Sequence, residues 1–147
     1  MKTLYLDVCA LCRPFDDQNQ LRIRLETDAV FLILRRIEIG LYRAVVSPVH
    51  HSEISEISAI RETSERLEIK SLLERLDNAC ECNLIKARHR TEGLIGMGFG
   101  IADAAHVAFA EQLAEVFITC DDKLLKLCRQ TSLRIVAANP LEFIAKE

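Results

Sequence analysis

The stretch GFGIADAAHVAFAEQLAEVFITCDDKLLK, residues 98–126, decides how this chain is read. It gives a glycine turn, a helix opening at Asp103, the short apolar strand Val116–Thr119, and a second helix opening at Asp121 and Asp122. In an open α/β sheet, ligands bind at the carboxyl ends of the strands. Acids placed there point to a cation, provided the rest of the chain brings more carboxylates to the same edge.

The amino-terminal part does so. Thr3–Leu6 is a β-prone run that ends in Asp7. Arg13-Pro14, with Asp16 and Asp17, breaks into a loop. From Gln20 to Gly40 apolar residues recur every three to four positions, which predicts a helix stopped by Gly40. Arg43–Ser47 is a second strand, followed by a helix over Pro48–Ser58 that carries Glu53. A long amphipathic helix is expected over Glu62–Cys82, a short strand over Asn83–Lys86 and a helix over Arg88–Gly96. After the opening stretch come the strand Leu133–Val136 and a short helix from Pro140. Strand and helix alternate throughout, so the expected fold is α/β, with a mostly parallel sheet of four to five strands flanked by helices. Right-handed crossovers would put every strand exit on one edge. Neither repeat nor linker divides residues 1–147, and a single domain is expected.

Composition narrows the function classes. Half the residues are hydrophobic, 28% are charged and the net charge is −3. A nucleic-acid partner would therefore need a local basic patch. The longest apolar run, Ala29–Leu34, is far too short to span a bilayer, and no leader peptide is visible, so a cytoplasmic location is expected. The six cysteines fit a reduced compartment. Cys9-x-x-Cys12 with Cys80-x-Cys82 could make a thiolate zinc site, but the second spacing is short, and buried packing is the preferred reading.

Asp7, Glu53, Asp103 and Asp121 thus fall at or near one edge, with Asp122 beside the last. Clustered carboxylates repel one another unless a cation neutralises them. Oxygen ligands without a matching His/Cys set favour Mg²⁺ or Mn²⁺, and the chemistry such ions serve includes phosphodiester hydrolysis. Each acid has a plainer reading. Asp103, Asp121 and Asp122 can serve helix N-termini, and Thr119-x-x-Asp122 looks like a capping-box variant. Glu53 can be a solvated helix residue. Asp7 is the sharpest signal, because packing does not explain an acid that ends an apolar strand.

The arrangement resembles the PIN domain, the metal-dependent ribonuclease fold of VapC-type bacterial toxins. The matching features are Tyr5-Leu6-Asp7, Ser47 spaced ahead of Glu53, Ala102-Asp103-Ala104-x-His106, and Thr119-x-Asp121, spread over residues 3–130. The resemblance implies a central parallel sheet and an acidic pocket for one or two Mg²⁺ or Mn²⁺ ions. It also implies endonucleolytic cleavage of RNA, with Asp7, Glu53, Asp103 and Asp121 as metal ligands or as the acids that order the attacking water. Thr119 would orient Asp121, and Asp122 would act through a water. Cys9 departs from the small polar residue often found two positions after the first acid. Partners implied are RNA, a small antitoxin and a second copy of the chain. A PIN-like module without turnover and a housekeeping RNA-processing nuclease stand as alternatives.

Other residues leave choices open. Glu26 could point into the pocket or pair with Arg22 across one helical turn. His50 lies one turn from Glu53, and His106 one turn after Asp103, where it either faces the pocket or packs within its helix. Arg13, Arg22, Arg24, Lys123, Lys126 and Arg129 border the acidic edge as phosphate contacts or as a solvated face. With aromatics at 5%, no base-stacking platform is evident. A haloacid-dehalogenase-type phosphatase would need an aspartate where Cys9 stands, and a receiver domain an acid where Ser47 stands. The amphipathic helices Gln20–Gly40 and Glu62–Cys82 offer surface for a homodimer or an antitoxin segment.

Overall fold

Leu4, Tyr5 and Leu6 are buried on both sides of the first strand, β1 (Lys2–Leu6), and that double burial organises the molecule. The computed structural model describes residues 1–57, 62–76 and 81–147. Three further strands, β2 (Tyr42–Ala44), β3 (Val116–Ile118) and β4 (Val136–Ala138), complete a four-stranded sheet in the order β2-β1-β3-β4. All three pairings are parallel. The fold is α/β, as expected from the alternation of elements.

Side chains alternate across a strand, so each strand feeds two cores. Leu4, Leu6, Val116 and Ile118 face one core, and Tyr5 and Phe117 face the other. The first core is covered by α1 (Val8–Cys12), α2 (Leu21–Glu38), α4 (Thr63–Leu76) and α8 (Pro140–Lys146), through residues such as Leu11, Ile33, Leu73 and Phe143. The second is covered by α5 (Leu84–Gly96), α6 (Ile101–Leu113) and α7 (Asp122–Gln130), through Leu94, Val107 and Leu124. α3 (Pro48–Ile57) follows β2 and contributes Ile54 to the first core. Each fully buried aliphatic side chain contributes roughly 1.5–3 kcal/mol.

Two glycines make their turns possible. Gly40, at φ +84°, ends the passage from α2 to β2, and Gly98, at φ +103°, turns the chain from α5 into α6. α6 then buries Ala104, Ala108 and Ala110, whose small side chains let it lie close to the sheet and to α5.

Several boundaries differ from expectation. Asn83–Lys86 is no strand. The Asn83 side chain accepts from the Lys86 N–H at 3.0 Å and starts α5 there, so a cap overrides the β-prone Leu84-Ile85 pair. The last strand is Val136–Ala138 rather than Leu133–Val136, because pairing with β3 sets its register, whatever the β-propensity of Leu133–Ile135. The second strand begins at Tyr42 and its ladder ends at Ala44, leaving one bond from the Val45 N–H to Leu4 O. Of the helix expected over Glu62–Cys82 the structure describes Thr63–Leu76, residues 77–80 lie outside the described residues, and Cys82 stands in the non-helical segment before α5. Ser58 and Cys80 lie outside the described residues. Cys12 packs in the first core and Cys82 against the second. Among the described residues, no helix is long and apolar enough to cross a membrane.

The strand order places the site. From β1 the chain moves to β2 on one side, and it returns later to β3 on the other. The carboxyl ends of β1 and β3 are therefore the topological switch point, the place where open α/β sheets bind ligands. α1, α3, α7 and α8 all start from this edge, so their N-terminal dipoles offset carboxylate charge there.

Candidate metal centre at the carboxyl edge of the sheet

Asp7 sits where β1 becomes α1. Its N–H continues the ladder to Ile118 O at 2.8 Å, and its Oδ1 accepts from the Val8 N–H at 2.8 Å, capping the helix. Oδ2 accepts from the Thr119 hydroxyl at 2.8 Å and the Cys9 thiol at 3.2 Å. At 4% exposure the carboxyl is buried. Burial raises its pKa, and the opposing pull of His106, Thr119 and Cys9 recovers only part of that shift.

Two helices bring in the next groups. Glu53 on α3 and His106 on α6 meet through Oε2 and Nε2 at 2.5 Å. Nε2 is also 3.8 Å from Asp7 Oδ1. Among the described residues, Asp7, Glu53 and His106 form the group whose ligand atoms all lie within 4.8 Å of one another. Burial disfavours the His106 imidazolium, yet its bond to Glu53 and the charges of Asp7, Glu53 and Asp103 raise its pKa.

Asp103 and Asp121 fall outside that close group but inside its field. Asp103 lies in the first turn of α6, where Gly100 takes the N-cap position, so Asp103 does not open the helix. Its pKa is pushed up to about 6, by burial first and then by the charges of Asp7, Asp121 and Glu53. Asp121 is exposed and is the N-cap of α7, its Oδ1 accepting from the N–H groups of Lys123 and Leu124 at 3.0 and 3.1 Å. The capping role expected of Asp122 therefore belongs to Asp121. Asp122 instead pairs with the Arg22 guanidinium at 2.6 and 2.5 Å, which lowers its pKa.

Thr119 also differs from expectation. Its hydroxyl donates to Asp7, and it accepts from the Asp121 N–H at 3.1 Å, so it fixes the Asp7 carboxylate instead of the Asp121 one. Glu26 is fully buried on α2, with Arg13 Nε at 3.2 Å and Arg22 Nε at 3.6 Å. Of its two readings, the pairing with Arg22 holds, joined by Arg13 from another segment. His50 turns away from Glu53. Its Nε2 donates to Leu6 O at 2.7 Å and its Nδ1 accepts from the Ser47 N–H at 3.0 Å, and burial drops its pKa to about 3.

Sequence reasoning gave no role to Tyr5 and Ser47 behind His106. Tyr5 Oη lies 2.6 Å from both His106 Nδ1 and Ser47 Oγ. The available signal is Tyr5 itself, since a tyrosine between strand leucines must find a partner for its hydroxyl when buried.

The Asp103 shift carries a measurable consequence. A carboxyl whose folded pKa exceeds its unfolded value near 3.8 contributes fully to stability below that value, and the contribution is lost as pH rises through about 6. With chelator present, Asp103→Asn is expected to stabilise the protein at pH 8 relative to wild type, and to make little difference at pH 4. Solvent screening of a half-exposed group holds the gain to about 1 kcal/mol. Urea denaturation at the two pH values measures it, and an equal effect at both would refute the assignment.

No protein-family model, curated protein or solved structure matches the chain.

Proposed function

We propose that this chain is a metal-dependent endoribonuclease of the PIN type, acting in the cytoplasm as the toxin of a toxin–antitoxin pair. The observation that carries the reading is the convergence of Asp7, Glu53 and His106 within 4.8 Å at the β1/β3 switch point, with Asp103 held up near pKa 6 by the same charges. The donor set fits a divalent cation, since two carboxylates and an imidazole have ligand atoms within 4.8 Å of one another. Bound there, Mg²⁺ or Mn²⁺ would lower the pKa of a water and brace the phosphate oxygens of an in-line displacement.

The residues divide the remaining work. Asp7, fixed by Thr119 and the Val8 N–H, presents an oxygen that cannot swing away. Glu53 offers another from α3. Asp103, half-buried with its pKa raised to about 6, is suited to orient the attacking water and accept its proton. Asp121, exposed just after β3, would complete the set or order a second water. Arg22 is taken up by Asp122 and Glu26, so it would serve a flanking phosphate only by exchanging Asp122 for it.

Partners fit two surfaces. Leu21, Leu25, Leu32 and Ile39 are exposed along α2 and its end, a stripe suited to a second copy of the chain. A groove of about 680 Å³ walled by α2, β2 and α4 is lined by Phe31, Leu34 and Leu72 with Arg35, Arg43 and Arg75, which suits an acidic amphipathic antitoxin segment.

The test is RNA cleavage by the purified protein with and without Mg²⁺ or Mn²⁺, beside Asp103→Asn. Metal-dependent cleavage that the variant loses supports the reading, and equal behaviour of the two across several RNAs removes it. The 2.5 Å pair of Glu53 with His106 favours a second reading, a PIN-like interaction module whose acids are satisfied internally. Growth arrest on expression, relieved by a neighbouring gene product, separates a toxin from a housekeeping nuclease.

A further inference from the structure

Behind the acids runs a buried chain of polar groups. His106 Nδ1 lies 2.6 Å from Tyr5 Oη, which lies 2.6 Å from Ser47 Oγ. Ser47 Oγ accepts from the Val49 N–H at 3.2 Å and is 3.4 Å from His50 Nδ1. None of these four side-chain-bearing residues is more than 1% exposed. The far end has a fixed polarity. The Ser47 N–H must donate to His50 Nδ1, so that nitrogen carries no proton, and the His50 proton sits on Nε2 facing Leu6 O.

We propose that His106 Nε2 is itself a ligand of the cation, alongside one oxygen each from Asp7 and Glu53, and that Tyr5, Ser47 and His50 hold the ring in the tautomer this bond requires. With Nε2 on the metal, Nδ1 is left as the ring's donor, and donation can then run outward along the chain. His106 Nδ1–H donates to Tyr5, Tyr5 to Ser47, and Ser47 to the bare Nδ1 of His50. Histidines that ligate metals characteristically donate their other ring N–H to a fixed acceptor, which sets tautomer and orientation. As the nitrogen–metal bond forms, a ring protonated at both nitrogens releases its Nε2 proton to solvent, and Nδ1 keeps the proton that it gives to Tyr5.

The nitrogen changes which ion fits. Mg²⁺ and Mn²⁺ prefer oxygen, and Mg²⁺ keeps its waters, whereas imidazole suits later first-row ions such as Co²⁺ and Zn²⁺, with affinity for a nitrogen site rising from Mn²⁺ to Co²⁺. The PIN resemblance implies oxygen ligands alone, so the nitrogen is this chain's own feature. The inference deepens the nuclease reading by naming the class of ion, and rests on it only in taking this ion as the one that serves RNA cleavage.

The test begins with wild type and Co²⁺. Proton NMR is expected to show one hyperfine-shifted, solvent-exchangeable imidazole N–H, from Nδ1 of His106, and calorimetry to give Co²⁺ at least tenfold tighter binding than Mg²⁺. Tyr5→Phe keeps the ring packing and removes the Nδ1 partner, so it is expected to weaken Co²⁺ binding by about 10- to 100-fold and leave Mg²⁺ binding nearly unchanged. Absence of the shifted N–H in wild type, or equal affinity for Co²⁺ and Mg²⁺, overturns the inference without needing any variant to fold. RNA cleavage measured in parallel keeps the two readings apart. A Co²⁺-bound imidazole without cleavage removes the nuclease and keeps the ligand, and Mg²⁺-supported cleavage without the imidazole signal does the reverse.

Discussion

Asp7→Asn is expected to lower metal-dependent RNA cleavage by about 10²–10³-fold while the fold stands. The substituted amide keeps an oxygen for the Val8 N–H, so the cap of α1 survives. What disappears is a buried negative charge next to Glu53 and His106, where a cation or a developing charge would be stabilised. Loss of one pre-organised electrostatic partner typically costs that much in rate. On the Thr119 side the amide can donate to the hydroxyl that formerly donated to Asp7. Removing a carboxylate whose pKa burial has raised also relieves a desolvation cost, so stability should move by no more than about 1 kcal/mol. Circular dichroism and urea denaturation check the fold, and gel-resolved RNA cleavage checks the rate. Retained cleavage in a folded Asp7→Asn protein would end the proposal that this acid serves catalysis.

The largest effect on stability is expected from Phe117→Ala. Phe117 has no exposed surface, sits on the central strand β3, and packs against Tyr5 with ring centroids 5.7 Å apart. Truncation removes the buried ring and leaves a cavity that the flanking strands cannot close, at a cost of about 3–5 kcal/mol. Domains are stable by only about 5–15 kcal/mol in total, so the variant should lie near the limit of folding. A fall in the urea midpoint at unchanged slope is the expected signature. A loss below about 1 kcal/mol would contradict the packing described for the second core.

What the sequence reveals follows the range of the interactions involved. Asp7 is legible because one strand and the next helix fix it locally. The four parallel strands are legible because apolar runs and glycine turns punctuate the chain, and the alternation of elements leaves few arrangements. The exchange of roles between His50 and His106 is not legible. Each lies three residues from an acid, and only the docking of α3 and α6 across Tyr5 decides which imidazole meets Glu53. The start of α5 is missed because Asn83 caps a helix whose first residues favour strands. The position of β4 is missed because a three-residue edge strand takes its register from β3. Glu26 is settled by Arg13, which reaches it from a different segment.

The switch point between β1 and β3 also has a consequence in time. Asp7 depends for its orientation on Thr119, 112 positions later, and Glu53 meets His106 across 53 positions. Contacts so distant along the chain close late, because the ends of long loops must be brought together first. Asp7 is made before β3, so its local partners, the Val8 N–H and the Cys9 thiol, are present before Thr119 is. A chain stopped ahead of Thr119 therefore lacks the hydroxyl that completes the setting of this carboxylate.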